Sequence, residues 1–450
     1  MAHDLSALTD ALLSAATRAG ADAADALAIA GTSVGVDVRA GTLEQAERSE
    51  AVEIGLRVLL GTRAATVSGS DLRPETMNAM AERAVAMARV APEDPHVGLA
   101  DPSQVATGEA TDATALDLWD AGVAAEPAAL EDEARRAEAA ARAVPGITRI
   151  DSASAGFSQT RMHLAATNGF SGGYARTMRS LSCVAIAGEG TGMERDYDGD
   201  ARSHAADLRT PEDIGRTAAE RTLARMAPRR PKTGAYPVIF DERIAASLIG
   251  HLLSAASGRA VGRGASWLRG RMGEEVLPRG LSLHEDPHRP RTLASRPFDA
   301  EGLPTRPRDI VSDGVLSGWT LDLAAARQLD LAPTANASRG LSSGPSPQAW
   351  NVALTQGSRT REHLMAEIGT GLLVTSMIGA TINPNTGDYS RGAAGMWIEN
   401  GEPAYPVSGV TIAGSLPEML RSIVPANDAR PWLTRVVPSL LVEGLTLAGD

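Results

Sequence analysis

Apolar residues three and four apart give way along the chain to stretches in which every second residue is apolar, and these switches of period mark out its elements. Residues 5–19 set Leu5, Leu8, Leu12 and Leu13 on one helical face. Val34, Val36 and Val38 then alternate with Gly35, Asp37 and Arg39. After a turn at Ala40-Gly41-Thr42, Val52, Ile54, Leu56 and Val58 alternate again, with Glu53 and Arg57 between them. The pattern predicts half-buried strands. Asp71 is placed to cap a second helix carrying Met77, Met80, Ala84 and Met87, which Ala91-Pro92-Glu93-Asp94-Pro95 ends. These elements predict a small α+β domain over residues 1–100.

A charged, alanine-rich helix follows over Glu126–Ala143, closed by Pro145-Gly146. Ile147–Arg195 reads as a β-meander with turns at Asn168-Gly169 and Gly188–Gly192. Thr210 before Pro211 and Asp213 starts a helix that runs to about Met226. This middle domain spans 115–228, and the proline-rich stretch 227–234 links it to a C-terminal domain over 234–450. There an apolar strand, Tyr236–Phe240, runs into Asp241, a helix cap. Ile244, Leu248, Ile249, Leu252 and Leu253 recur at helical spacing around His251, and Gly258, Gly262 and Gly264 end the run. From Val276 onward the chain is turn-rich, with short β-type runs at Trp350–Thr355, Gly371–Met377 and Val407–Ala413. The expected class is α+β: a small N-terminal α+β domain, a middle helix-plus-meander region, and a large β-dominated C-terminal domain with one buried helix.

Composition narrows the function. Aromatics make up 3% of 450 residues, so alanine and the aliphatic residues must fill the core. A net charge of −12 argues against a nucleic-acid surface. Lys232, the one lysine, has no Walker A context, and Cys183, the one cysteine, allows neither an internal disulfide nor a cysteine-rich zinc site. Cys183 reads as a small strand hydrophobe. No apolar run is long enough to span a bilayer. Asp4 and Asp10, with no early basic cluster, do not make a signal peptide, so the expected location is cytoplasmic.

Three motifs carry candidate chemistry. His284-Glu285-Asp286-Pro287-His288 matches H-E-x-x-H, which binds zinc only on a helix. Pro287 costs a helix interior ~3 kcal/mol. In an extended chain the two histidines stand ~13 Å apart, so the stretch reads as a strand end and loop. Gly169-Phe170-Ser171-Gly172-Gly173 matches G-x-S-x-G, but strand-like sequence, not a helix, follows it, and a hairpin turn explains the glycines better. His251 is either a packed core histidine or a ligand in need of partners.

The six positions Ala246-Ser247-Leu248-Ile249-Gly250-His251 carry a family resemblance. With them go Thr167-Asn168-Gly169, Asp196-Tyr197, Asp286-Pro287, Phe298–Gly302 and the blocks 371–375, 386–401 and 405–414. Together they resemble the TldD/TldE (PmbA) family over nearly the whole chain, and its TldE/PmbA branch in particular. The resemblance implies that catalytic, TldD-type members carry His-Glu-x-x-x-His on this helix, with a third zinc ligand from a cysteine near the C-terminus. Here Ala246 and Ser247 stand where the first histidine and the glutamate would be, and 422–439 contains no cysteine. Ala246 has no donor, and Ser247 is a poor zinc ligand and no general base near neutral pH. The site thus reads as degenerate, with no catalytic residue and no metal in this chain.

The resemblance further implies a heterodimer with a TldD-type catalytic subunit that supplies zinc. The two would enclose unfolded peptides, such as leader segments of modified precursors or flexible antitoxins. Asn383, Asp388, Tyr389 and Arg391, beside Gly392 and Gly395, suit either a peptide lying along a strand or a tight subunit contact. Two alternatives stand beside this reading: a stand-alone metallopeptidase using His251, and a non-enzymatic homodimer that sequesters peptides, the view behind the family's other name, DNA gyrase modulator.

Overall fold

In a computed structural model, which describes residues 3–122 and 126–450 (Ala380 by its backbone alone), the alternating runs become long strands. β1 (Ala23–Arg39), β2 (Thr42–Leu60) and β3 (Arg63–Gly69) follow α1 (Leu5–Arg18). α2 (Pro74–Val90), α3 (Pro127–Arg142), β4 (Ile147–Ala166), β5 (Ser171–Ala187), β6 (Glu194–Arg202) and α4 (Pro211–Leu223) come next. One antiparallel sheet, ordered β3-β2-β1-β4-β5-β6, spans both the N-terminal and the middle segments. Its joint is the β1–β4 ladder from Asp25↔Ala166 to Val38↔Ala153.

Strand alternation divides the two faces of this sheet. Ala24, Ala26, Ala28, Ile54, Leu56 and Val58 meet α1 and α2. Val34, Val36, Val38, Ala153 and Leu181, on the same face, meet α3 and α4. α3 and α4 approach so closely that a Cβ on Gly215 would lie 2.0 Å from the Ala137 carbonyl oxygen. The opposite face, with Leu27 and Leu164, packs on Phe170 and on Phe298 of the C-terminal segment. The expected cap of α2 is displaced. Pro74 opens that helix with Arg73 before it, and the Asp71 carboxylate accepts from the Arg73 N–H and the Thr76 hydroxyl instead.

The C-terminal segment is β-dominated. β7 (Gly234–Phe240), β14 (Gly371–Ile382), β15 (Asp388–Glu399), β16 (Glu402–Ser415) and β19 (Leu440–Ala448) form the order β16-β15-β14-β7-β19. The ladder Thr411↔Ala448 to Ala413↔Thr446 joins the two ends and closes a barrel. The short β17 (Val424–Pro425) flanks β19. Val238, Phe240, Leu372, Val374, Trp397 and Val442 share one core with α5 (Glu242–Ala255) and α9 (Leu416–Arg421). The alternate residues Ile239, Leu373 and Leu441 pack outward on α8 (Arg361–Ile368). Gly395 lets β15 lie against β14, because a Cβ there would meet the Leu373 carbonyl oxygen at 1.9 Å.

A smaller sheet, β10-β9-β8-β13-β18, is built from Val315–Leu316, Arg308–Ser312, Leu283–Glu285, Val352–Leu354 and Arg435–Val436. Beside it lie the hairpin β11 (Ala337–Ser338) and β12 (Ser346–Pro347) and the short helices α6 (Gly258–Gly262) and α7 (Leu323–Gln328). Among the described residues no helix is long and apolar enough to cross a membrane.

Candidate functional site

β7 delivers the chain straight into α5. The Asp241 carboxylate caps the helix by accepting the Arg243 N–H at 3.1 Å, and it also receives Arg361 at 2.8 Å. Arg243 reaches back to Asp196 of β6 at 3.2 Å, and Arg430 holds Glu242 at 2.7 Å. The start of α5 is therefore tied by ion pairs to the first sheet, to α8 and to the C-terminal tail. Ala245, Leu248, Ile249 and Leu252 bury one face of the helix.

The neighbouring face carries Ala246, Ser247, Gly250 and His251, all partly exposed. Ser247 and His251 are four residues apart, so their side chains lie one above the other. Ser247 Oγ and His251 Nε2 are both buried atoms without a hydrogen-bond partner. The His251 ring stands edge-on to the Tyr389 ring, with centroids 5.9 Å apart. Tyr389 is buried, donates its hydroxyl to Met377 Sδ at 3.2 Å, and is pushed up to about 12 by burial. Arg391, two residues on, donates to the Gly379 carbonyl at 2.6 Å. Burial first, and the charge of Arg391 second, hold the His251 imidazole below its ordinary value. Arg435 covers the same helix face, since a Cβ on Gly250 would lie 3.0 Å from its Nη1.

These residues do not fit a zinc ion. Zinc takes three or four nitrogen, sulfur or carboxylate donors. Here one imidazole is accompanied by a methyl group, a hydroxyl and two guanidinium groups, whose charge repels a divalent cation. Among the described residues no three or more His, Cys, Asp or Glu side chains converge as metal ligands would. An unpaired imidazole nitrogen, an unpaired hydroxyl and nearby cationic donors suit carbonyl oxygens far better.

Of the residues singled out from sequence, Ala246, Ser247, His251, Tyr389 and Arg391 come together. Asn383 and Asp388 do not join them. They shape the exposed β14–β15 hairpin, where Asn383 Oδ1 accepts the Asn385 N–H at 3.0 Å and Asp388 accepts the Thr386 hydroxyl at 2.6 Å. The H-E-x-x-H stretch is a strand end and loop, as Pro287 requires. His284 pairs with Asp309 at 2.8 Å, and His288 meets the Thr305 hydroxyl at 3.0 Å. Glu285 is buried and receives Arg308, the Asn336 amide and the Trp350 N–H. Ser171 begins β5 and not a helix, on a hairpin, 3.3 Å from His163 Nε2. Cys183 is buried in β5, and its thiol is pushed up to about 12, chiefly by burial. Arg435 and the ion pairs around Asp241 had no local signal, because their partners lie far away in sequence.

Sheet with four helices, closed barrel and capped helix make up one three-part chain. Models of the PmbA/TldA metallopeptidase domain 1, central domain and C-terminal domain match residues 24–88, 120–226 and 233–449. The chain is 38% identical over 420 residues to metalloprotease PmbA of Escherichia coli O157:H7, covering 93% of this chain and 90% of that protein. It therefore belongs to the PmbA/TldD metallopeptidase family. A Bacteroides thetaiotaomicron structure, of a protein proposed to modulate DNA gyrase, superposes with a TM-score of 0.90 at 26% identity, covering 99% of this chain and 98% of that one. TldE from Thermococcus kodakarensis shares the fold, with a TM-score of 0.84 at 22% identity over 98% of this chain and 100% of that one.

Proposed function

We propose that this chain is the metal-free subunit of a two-subunit cytoplasmic peptidase whose TldD-type partner supplies zinc and the water-activating carboxylate. The observation that carries this reading is the face of α5. Ala246 and Ser247 offer no ligand or base, the charge of Arg391 bears on His251, and Arg435 lies against Gly250 on the same face. The similarity to PmbA and the TldE fold support it. This chain builds part of the chamber wall, and Ser247 Oγ and His251 Nε2 donate to or accept from the main chain of an unfolded peptide. Proteolysis would then require both chains.

The test is cleavage of an unfolded peptide by this chain alone, by a TldD-type chain alone, and by the two together. Chelator-sensitive cleavage should need the TldD-type chain and rise when this chain is added. Chelator-sensitive cleavage by this chain alone would overturn the proposal, and so would failure of the two chains to associate.

A further inference from the structure

A cavity of about 230 Å³ lies between the helix-free face of the first sheet and the C-terminal loops at 296–300 and 338–339. Leu27, Met162 and Phe298 give it an apolar side. Arg176, Arg296 and Arg339 give it a cationic one.

The cations exceed the anions there. Arg176 donates to the Leu293 and Ser295 carbonyls and to the Tyr174 hydroxyl, and to no carboxylate. Arg296 stacks 3.5 Å from the centroid of Trp350, and its hydrogen bond goes to the Ala294 carbonyl at 3.4 Å. Arg339 pairs with Asp25, but Asp25 is shared with Arg57. The Arg339 side chain is 1% exposed, and its Nη2 has no partner. Asp299, the carboxylate on this wall, already accepts the N–H groups of Glu301, Leu303 and Ala337. A guanidinium kept from water without a counter-charge is costly, so a wall of this kind is completed by an anion. An inorganic anion alone would leave Ile29 and Met162, the half-buried apolar residues of this wall, facing water.

We propose that this cavity binds a small apolar carboxylic acid, its carboxylate on Arg296 and Arg339 and its hydrocarbon body against Ile29 and Met162. The acid is either free or the C-terminal residue of a peptide. The cavity shares no lining residue with the α5 face, and the proposal does not depend on that site's role.

Isothermal titration of the full chain with 4-methylpentanoate, glycyl-glycyl-leucine, its C-terminal amide and inorganic phosphate tests this. Saturable one-site binding of the free acid, or of the tripeptide with a free carboxylate, is expected, and which of them binds identifies the source. Phosphate should bind about tenfold or more weakly for want of a buried body. Arg296→Gln should weaken the acid about tenfold or more, and Met162→Trp should fill the cavity and abolish binding. The proposal is overturned if neither carboxylate saturates the chain, or if the amide or phosphate binds as tightly. Wild-type affinity in both variants, with unchanged circular dichroism, would also overturn it.

Discussion

Ser247→Ala should make the protein more stable. The Ser247 hydroxyl is buried in the partly exposed face of α5 with no hydrogen-bond partner. Leaving such a group unsatisfied costs about 1–3 kcal/mol. Alanine also favours a helix interior over serine by about 0.5 kcal/mol. The methyl group opens almost no cavity, so the variant should gain about 1.5–2.5 kcal/mol, the lower half of the first range plus the helix preference. In a segment the size of the C-terminal one, each kcal/mol moves the midpoint by about 2–4 °C. Scanning calorimetry of wild type and variant at one scan rate reads this directly. The same substitution should raise KM for an unfolded peptide in the two-chain peptidase and leave kcat unchanged, since the hydroxyl meets only bound peptide. An unchanged or lowered midpoint would refute the reasoning, because it would mean that the hydroxyl is satisfied in the free chain.

Three further outcomes follow from named contacts. The His251 imidazole is held below its ordinary 6.5, so the unfolded chain takes up that proton first. Stability is then complete above pH 6.5 and falls as pH drops from there toward the lowered value, and His251→Gln should flatten this part of a denaturant-midpoint profile. Burial, and after it the charge of Asp299, pushes Glu301 from 4.5 up to about 8. The folded chain keeps that proton while the unfolded chain loses it, so stability declines as pH rises from 4.5 toward about 8, and Glu301→Gln should remove the upper part of the decline, leaving the part below about 6 that belongs to buried Asp299. Gly395→Ala should cost about 3 kcal/mol in urea unfolding, because its Cβ would strike the Leu373 carbonyl of the neighbouring strand β14.

Periodicity revealed those elements whose burial is regular along the chain. α5 carried Leu248, Ile249 and Leu252 at helical spacing, and β4 through β6 carried their turn residues. The first half of β2 left no such trace. Residues 42–51 are exposed on both faces, so Glu44-Gln45-Ala46-Glu47 shows no alternation although it is paired with β1. Closure of the barrel by β19 against β16, and the β1–β4 joint of the large sheet, bring together residues far apart in sequence. Local pattern carries no record of such pairings. Tyr389 sits between Asp388 and Ser390 in a polar stretch, and only the inward pleat of β15 places it beside His251. The cavity arginines were silent for the same reason: Arg176, Arg296 and Arg339 come from three separate segments.

The central claim concerns the coordination chemistry of α5, and the zinc content of the purified chain, expressed without a partner and dialysed against trace zinc, tests it most directly. The account predicts a small fraction of an equivalent, unchanged in His251→Ala. Stoichiometric zinc that disappears in His251→Ala would contradict it.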